Sequence, residues 1–299
     1  MNSTRVYRAL TGWLMIVPGL LAAAVAGAEP ASWEEVIAQS AGPADHVMAY
    51  GPHPDQFGEL RLPPGSGPHR VVVMIHGGCW LPDFDLDHVR PLADAITALG
   101  FATWTIEYRR PVAGEDGWPD TFLDAAAGLD ALRDLAETYS LDLEQITLLG
   151  HSAGGQLALW LAARSGLDVS HPLYAIQPLA VARVLALAAV TDLVDYAAEA
   201  EGCRAGARRV LGGTPEEQAA RYRAVSPVEN LPGPVRVELV HGDNDRIVPL
   251  RQSERFAEQA NAAGGRVRLH RLPAPVGHFD VILPYGAGWA LLQALLEER

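Results

Sequence analysis

Runs of apolar residues alternate with amphipathic stretches along most of the chain. The runs predict β-strands, and the amphipathic stretches predict helices between them. Residues 70–75 are almost all apolar, which is typical of a strand buried on both faces of a parallel sheet. The alternation therefore predicts a mostly parallel central sheet with helices on both faces. The predicted strands are residues 46–50, 59–62, 70–75, 101–108, 146–149, 181–190, 235–240 and 266–272.

Helical spacing of apolar residues predicts most of the connections between these strands. A first helix is indicated at Ser32, whose hydroxyl can cap the helix while Glu35 reaches back to the Ser32 backbone. We expect the first two strands to form an antiparallel lead-in. Residues 191–230 show no strand pattern, so we expect an insertion that sits above the sheet as a small cap and shapes a substrate pocket. The other predicted helices are residues 88–99, 119–139, 156–164, 253–263 and 289–296.

The first 28 residues have the pattern of a secretory signal peptide. Arg5 and Arg8 form a short positive region, residues 9–25 are apolar, and Ala-Gly-Ala at 26–28 offers a cleavage site. The alternative is an uncleaved membrane anchor, because the apolar stretch approaches the length that spans a bilayer. We expect cleavage, a mature domain of residues 29–299 that is periplasmic or secreted, and no stable membrane partner.

Composition and charge exclude several classes of function. The chain has 299 residues, a formal net charge of −13, and 23 basic side chains that are all arginine. Without lysine there can be no pyridoxal Schiff base, no Ser-Lys dyad and no phosphate-binding loop of the kind that needs a lysine. The negative charge argues against a nucleic-acid partner. No metal-site spacing and no G-x-G-x-x-G motif is present, so neither a metal nor a cofactor is expected.

The strongest catalytic signal is the sequence GHSAG at residues 150–154. It fits the pattern G-x-S-x-G and lies between a predicted strand and a predicted helix, which is the context of a nucleophile elbow. The sharp turn forces Ser152 into a strained backbone conformation, and only glycine leaves room at positions 150 and 154. The motif predicts that Ser152 is a nucleophile at the start of a helix whose dipole favours developing negative charge.

A glycine-rich loop, HGGCW at residues 76–80, follows the strand at 70–75. Glycine allows backbone N–H groups to approach a reacting carbonyl, where they stabilise the oxyanion of a tetrahedral intermediate. His76 is interpreted as a structural residue that holds this loop. We expect the oxyanion hole to be formed by the backbone N–H groups of Gly77, Gly78, Cys79 and Ala153.

Two segments near the C-terminus supply the expected base and acid. HGDNDRIVP at 241–249 and GHFD at 277–280 each follow a predicted strand. His278 is the expected base, and a buried carboxylate would fix its tautomer and stabilise the imidazolium. Asp243 and Asp245 compete for the acid role. Asp245 is favoured because Asp-x-x-Val-Pro after a short turn is the usual placement, which makes Asp243 a turn residue.

The chain has two cysteines, Cys79 and Cys203. In an exported protein such a pair can close a disulfide, and here the bond would tether the cap to the oxyanion loop. The sequence leaves this pairing open. A nucleophilic role for Cys79 is disfavoured because its motif supplies no base.

Taken together, HGGCW, GHSAGG, HGDNDRIVP and GHFD resemble the α/β-hydrolase superfamily and, within it, the bacterial esterase and kynurenine-formamidase-like (BD-FAE-like) group. The order Ser, Asp, His along the chain is that of this superfamily. The resemblance extends from about residue 45 to the C-terminus, with Cys79 where a tyrosine is sometimes found. It implies the α/β-hydrolase fold and a serine hydrolase that cleaves a carboxylic ester of a small-molecule acyl substrate through an acyl-enzyme.

Three alternative functions stay open at this point. An arylformamidase would use the same machinery on an N-formyl amide. A peptidase of the prolyl oligopeptidase type is less favoured because no propeller domain precedes the catalytic one. A catalytically inactive binding module is disfavoured because such modules usually lose a triad residue, and here all three candidates are present.

Overall fold

The computed structural model describes residues 29–198 and 201–298, and the predicted signal peptide lies outside them. The strands are β1 (His46–Ala49), β2 (Phe57–Arg61), β3 (His69–Ile75), β4 (Ala102–Ile106), β5 (Leu141–His151), β6 (Arg183–Leu187), β7 (Arg236–Gly242) and β8 (Arg266–Leu272). They form one sheet in the order β1-β2-β4-β3-β5-β6-β7-β8. β2 is antiparallel to β1 and β4, and every other neighbouring pair is parallel. The predicted parallel sheet with its antiparallel lead-in is confirmed.

Helices cover both faces of this sheet. The helices are α1 (Trp33–Ile37), α2 (Arg90–Ala98), α3 (Asp120–Asp130), α4 (Leu132–Tyr139), α5 (Ala153–Ala163), α6 (Leu193–Ala197), α7 (Cys203–Leu211), α8 (Ala219–Val225), α9 (Arg251–Ala262) and α10 (Gly286–Glu297). Alternate residues of β3 belong to different hydrophobic clusters, because successive strand side chains point to opposite faces. Val71 and Val73 pack with α3 and α5, whereas Val72 and Met74 pack with α2 and α10.

The single helix predicted over 119–139 is wrong, because the structure has two helices that meet at Ala131. In a continuous helix the carbonyl of Gly128 would accept from the N–H of Leu132. The indole N–H of Trp104 instead donates to that carbonyl across 2.8 Å. A tertiary contact from β4 therefore accompanies the break, and the apolar spacing of the segment gives no sign of it.

Three predicted strands had clearly the wrong length, and one of them is β4, which is shorter than the predicted 101–108. β6 is shorter than the predicted 181–190, because Ala188 turns to a positive φ of 46° and its N–H donates to Val240 across 2.8 Å. β5 is longer than the predicted 146–149, because it also includes residues 141–145, where Asp142, Glu144 and Gln145 interrupt the apolar pattern. Helix α2 starts after a 3₁₀ turn at Leu86–Val89 and not at residue 88.

The insertion at 191–230 contains α6, α7 and α8, with residues 199 and 200 outside the described part. The carboxyl ends of the parallel strands lie at one edge of the sheet, so the loops after β3, β5, β7 and β8 meet there. Within the described ranges, every helix is too short or too polar to span a bilayer.

Candidate active site

Ser152 stands at the sharp turn between β5 and α5. Its backbone adopts φ 55° and ψ −116°, a conformation that non-glycine residues rarely occupy. A Cβ at Gly150 or Gly154 would overlap backbone carbonyl groups, so neither position can carry a side chain. The N–H of Ser152 donates to the carbonyl of Leu187 across 2.9 Å, which ties the turn to β6. The turn has the geometry that the GHSAG pattern predicts.

His278 and Asp245 form a buried hydrogen-bonded pair in the loops after β8 and β7. Nδ1 of His278 donates to Oδ2 of Asp245 across 2.7 Å. The other carboxylate oxygen of Asp245 accepts from the backbone N–H groups of Ile247 and Val248, each across 2.8 Å. Because Nδ1 faces the carboxylate, Nε2 is the nitrogen of His278 that is left to accept a proton.

The surroundings of Asp245 keep its carboxylate ionised. Burial alone would raise its pKa, but hydrogen bonds from His241 and His278 outweigh burial and hold the pKa of Asp245 well below its usual value. The competing Asp243 pairs instead with Arg271, across 2.9 Å near the surface. The structure thus brings Asp245, and not Asp243, to His278.

The loop after β3 approaches Ser152 closely. A Cβ at Gly77 would lie 2.9 Å from the carbonyl oxygen of His151 and 3.1 Å from the Cβ of Ser152, so a side chain at position 77 would force the backbone to shift. Residues 78–80 have three successive positive φ values, 104°, 58° and 54°, which turn the loop around the serine. Ala153 is the first residue of α5, where backbone N–H groups have no acceptor within the helix.

A buried network supports this loop from behind. Nε2 of His76 lies 3.0 Å from Oε1 of Glu107, and the His76 ring stacks on Tyr108 with 4.4 Å between centroids. The second oxygen of Glu107 accepts from the N–H of Leu86 across 3.0 Å. Burial would raise the pKa of Glu107, but His76 and Arg110 outweigh burial and lower the pKa to about 2. Glu107 was not predicted from the sequence, where its signal is a lone acidic residue at the end of an apolar strand.

A disulfide joins Cys79 and Cys203, whose Cα atoms are 4.8 Å apart. It links the loop at 76–80 to α7 of the insertion. Gly206 of α7 packs so closely on Cys79 that a Cβ at Gly206 would overlap the Cys79 carbonyl oxygen. The insertion therefore holds the loop at two points.

A cavity of about 270 Å³ lies against these groups. Ser152, His278, Gly78 and Cys79 line it, so the predicted nucleophile, base and oxyanion loop meet at one space. Asp245 lies behind His278, on the side of Nδ1. The other lining residues are Trp33, Phe84, His88, His151, Cys203, Ile247 and Phe279.

The aromatic part of this lining was not identified from the sequence. The Trp33 ring contacts Phe84 at 5.2 Å and Phe279 at 5.7 Å between centroids, and the three residues come from separate segments without a shared motif. His88 packs edge-on to Trp33 at 5.2 Å. Among residues 29–198 and 201–298, no group of three or more His, Cys, Asp or Glu side chains could hold a metal ion.

Comparison with known proteins finds a matching family model and several similar proteins that are named esterases. The BD-FAE family model matches residues 59–260, which is more than half of the chain and includes Ser152 and Asp245. Esterase LipC of Mycobacterium tuberculosis is 25% identical over 246 residues, or 79% of this chain. The chain spans 60% of the length of LipC.

Solved structures share the fold at low sequence identity. Esterase B from Lactobacillus Rhamnosis (HN001) superposes with a TM-score of 0.73 at 18% identity, over 88% of each chain. Thermogutta terrifontis esterase 2, phosphoramylated by tabun, gives a TM-score of 0.64 at 21% identity, over 84% of this chain and 91% of the other. The predicted α/β-hydrolase fold is confirmed.

Proposed function

The chain belongs to the BD-FAE family, and on that premise we propose that it hydrolyses a carboxylic ester of a small or medium substrate through an acyl-enzyme on Ser152. The observation that carries the proposal is the 2.7 Å hydrogen bond from His278 to Asp245 beside the cavity that Ser152 and His278 share. An oriented imidazole next to a strained serine is the arrangement that activates a hydroxyl for acyl transfer.

The reaction begins when Oγ of Ser152 attacks the acyl carbonyl while Nε2 of His278 takes the hydroxyl proton. The tetrahedral intermediate then collapses, and His278 returns the proton to the departing alcohol. Water attacks the acyl-enzyme by the same route and releases the acid. Asp245 stays ionised throughout, fixes the tautomer of His278 and stabilises the imidazolium.

The negative oxygen of the intermediate is stabilised by backbone N–H groups of the loop at 76–80 and of Ala153. Gly77, Gly78 and Cys79 supply the loop donors in this proposal. A single donor of this kind contributes about 3 kcal/mol to the stability of the transition state. The disulfide and Gly206 hold Cys79 from the side of the insertion, which keeps the donors fixed before substrate binds.

The names of the similar proteins, and the reagent that modifies one of them, support ester hydrolysis as the proposed reaction. LipC and esterase B are named esterases, and tabun, which modifies the Thermogutta esterase, is an organophosphorus reagent that reacts with activated nucleophiles. The cavity of about 270 Å³ favours a small acyl group over a polymer chain. No metal or cofactor is required by these steps.

Hydrolysis of p-nitrophenyl butyrate by the mature protein tests the proposal. We expect turnover by the wild type and a loss of about 10⁴–10⁶-fold in kcat for Ser152→Ala, because triad residues act as a unit. The matched control is Ser170→Ala, because Ser170 is exposed and does not line the cavity. Equal turnover by Ser152→Ala and wild type would contradict the mechanism.

The main alternative, an arylformamidase, is distinguished by its substrate. N-formylkynurenine would then be turned over with a higher kcat/KM than p-nitrophenyl esters. A binding module on the same fold would turn over neither.

We also propose that the protein is exported and acts in the periplasm or outside the cell. The apolar stretch at 9–25 with its Ala-Gly-Ala end supports a cleaved leader, and the Cys79–Cys203 disulfide suits an oxidising compartment. N-terminal sequencing of the protein recovered from the periplasm or medium should begin at Glu29. Recovery in the cytoplasm with an intact leader would contradict the proposal.

A further inference from the structure

Trp33 reaches the catalytic cavity from a part of the chain that the family match does not include. The match starts at residue 59, whereas Trp33 opens helix α1. The indole lines the same cavity as Ser152 and His278. Its ring contacts Phe84, which follows the loop at 76–80, and Phe279, which follows His278. Trp33 therefore contacts residues from both loops that line the cavity.

The segment before Trp33 is fixed to the loop that carries His278. The N–H of Ala31 donates to Oδ2 of Asp280 across 3.0 Å, and the N–H of Gly277 donates to the same oxygen across 2.8 Å. A Cβ at Gly277 would lie 2.7 Å from the Cβ of Pro30, so the two backbones pack without space between them. One carboxylate thus joins the N-terminal segment to the residue that precedes His278.

Helix α1 cannot hold this position by itself. It has five residues, far fewer than an isolated helix needs in water. A complete capping box closes its first turn, because Ser32 accepts from the N–H of Glu35 and the Glu35 carboxylate accepts from the N–H of Ser32. The capping box stabilises the turn in the folded protein, and the location of the turn depends on the contacts to Asp280 and on the packing of Trp33.

We propose that residues 30–35 form an N-terminal strap that closes the acyl pocket, with Trp33 as the residue that limits acyl length and Asp280 as the anchor. The proposal rests on the proposed esterase function and deepens it. Because Trp33 limits the length of the acyl group, the expected substrates are esters of short acyl groups.

The cavity has the size and the apolar lining that suit the acyl part of the substrate. Its volume of about 270 Å³ lies just below the range of about 300–1,000 Å³ typical of drug-sized ligands. Burial lowers the pKa of His88 to about 3, so this ring adds no charge to the aromatic wall at neutral pH. The alcohol leaves after the first step and needs a path to solvent, whereas the acyl group stays covalently bound and suits an apolar cavity of limited volume.

A chain-length profile tests the strap directly. The probes are p-nitrophenyl acetate, butyrate, octanoate and decanoate, which share one leaving group. We expect the wild type to prefer acetate and butyrate. Trp33→Ala should raise the ratio of octanoate to butyrate kcat/KM by at least about tenfold, because each methylene that a pocket accepts or rejects changes kcat/KM by that order. Trp33→Phe should give an intermediate ratio.

The matched control is Trp289→Ala. Trp289 and Trp33 pack against the same hydrophobic cluster, but Trp289 does not line the cavity. Loss of a large aromatic from this cluster lowers stability in both variants, and only Trp33→Ala should shift the acyl profile. Asp280→Ala should shift the profile in the same direction as Trp33→Ala, because it releases the strap.

A second series, with butyrate fixed and the alcohol varied from methyl to octyl, tests the assignment of the pocket. A change of alcohol preference in Trp33→Ala without a change of acyl preference would overturn the proposal. An unchanged acyl ratio in both Trp33→Ala and Asp280→Ala, with active enzyme, would overturn the strap and leave the esterase function standing. A wild type that hydrolyses no ester in either series would contradict the esterase function itself.

Discussion

Nδ1 of His278 lies 2.7 Å from Oδ2 of Asp245, and 33 residues separate the two along the chain. The carboxylate also accepts two backbone N–H groups of its own turn, so its position is fixed independently of the histidine. Because its own turn already holds Asp245 in place, the carboxylate sets the orientation of the His278 ring. A histidine held in this way can serve Ser152 as a base with its ring already in place.

Replacing this carboxylate should remove most of the activity without unfolding the protein. In Asp245→Asn the amide can favour the wrong tautomer of His278, so we expect kcat for p-nitrophenyl butyrate to fall by about 10⁴-fold. Asp243→Asn is the matched control, because Asp243 pairs with Arg271 near the surface. Similar kcat values for the two variants would show that the acid has been assigned to the wrong residue.

The disulfide should stabilise the fold and the oxyanion loop together. The bond closes a loop across 124 residues, and its removal in the double variant Cys79→Ala/Cys203→Ala should lower the free energy of unfolding by about 2–5 kcal/mol. Urea denaturation of the variant and the oxidised wild type measures the difference. An unchanged midpoint would mean that the bond contributes nothing to stability.

Contact between Gly206 and Cys79 allows the loop to be perturbed with the disulfide intact. A methyl group at position 206 would overlap the Cys79 carbonyl oxygen and push the loop away from Ser152. Gly206→Ala should therefore lower kcat by up to about 100-fold, the order expected when an oxyanion donor is misplaced. Gly202→Ala is a less suitable control because of its positive φ, so Gly166→Ala, at an open position, serves instead.

Acid should weaken the fold through buried neutral histidines. Burial, with help from the neighbouring His76, lowers the pKa of His88 to about 3, whereas the unfolded chain titrates near 6.5. Between these values the unfolded state binds one more proton than the folded state, so stability is lost as the pH falls from about 6.5 towards about 3. Each such histidine contributes a slope of about 1.4 kcal/mol per pH unit within that window.

The variant His88→Gln isolates this contribution. Unfolding free energies measured by urea between pH 7 and pH 4 should fall less steeply for the variant than for the wild type, by about 1.4 kcal/mol per pH unit. Burial also depresses the pKa of His151, so part of the slope remains in the variant. If the unfolding free energies of the two proteins change with pH at the same rate, His88 is not a buried neutral histidine in the folded state.

Local patterns predicted the parts of the site whose chemistry depends on a few consecutive residues. The GHSAG turn is one case, because the steric limits at positions 150 and 154 act within five residues. The pairing of Asp245 with His278 followed from their places after predicted strands, since such strand ends meet at one edge of a parallel sheet. The mostly parallel sheet and the antiparallel lead-in followed from the apolar runs in the same way.

Contacts between distant segments that carry no recognisable motif could not be predicted. Trp33 and Phe279 are neighbours in space but 246 positions apart, and no periodic pattern links them. Glu107 supports His76 through a contact between the ends of two strands. The break between α3 and α4 likewise accompanies a hydrogen bond from Trp104, which only the folded sheet provides.

The central claim is that Ser152 is the nucleophile, and covalent labelling tests it most directly. The oxidised mature protein is treated with a fluorophosphonate, digested, and mapped by mass spectrometry. The mechanism predicts one phosphonyl group on Ser152, a parallel loss of p-nitrophenyl butyrate hydrolysis, and no labelling of Ser152→Ala. Hydrolysis that survives with Ser152 unlabelled, or a label on another residue that abolishes activity, would contradict it.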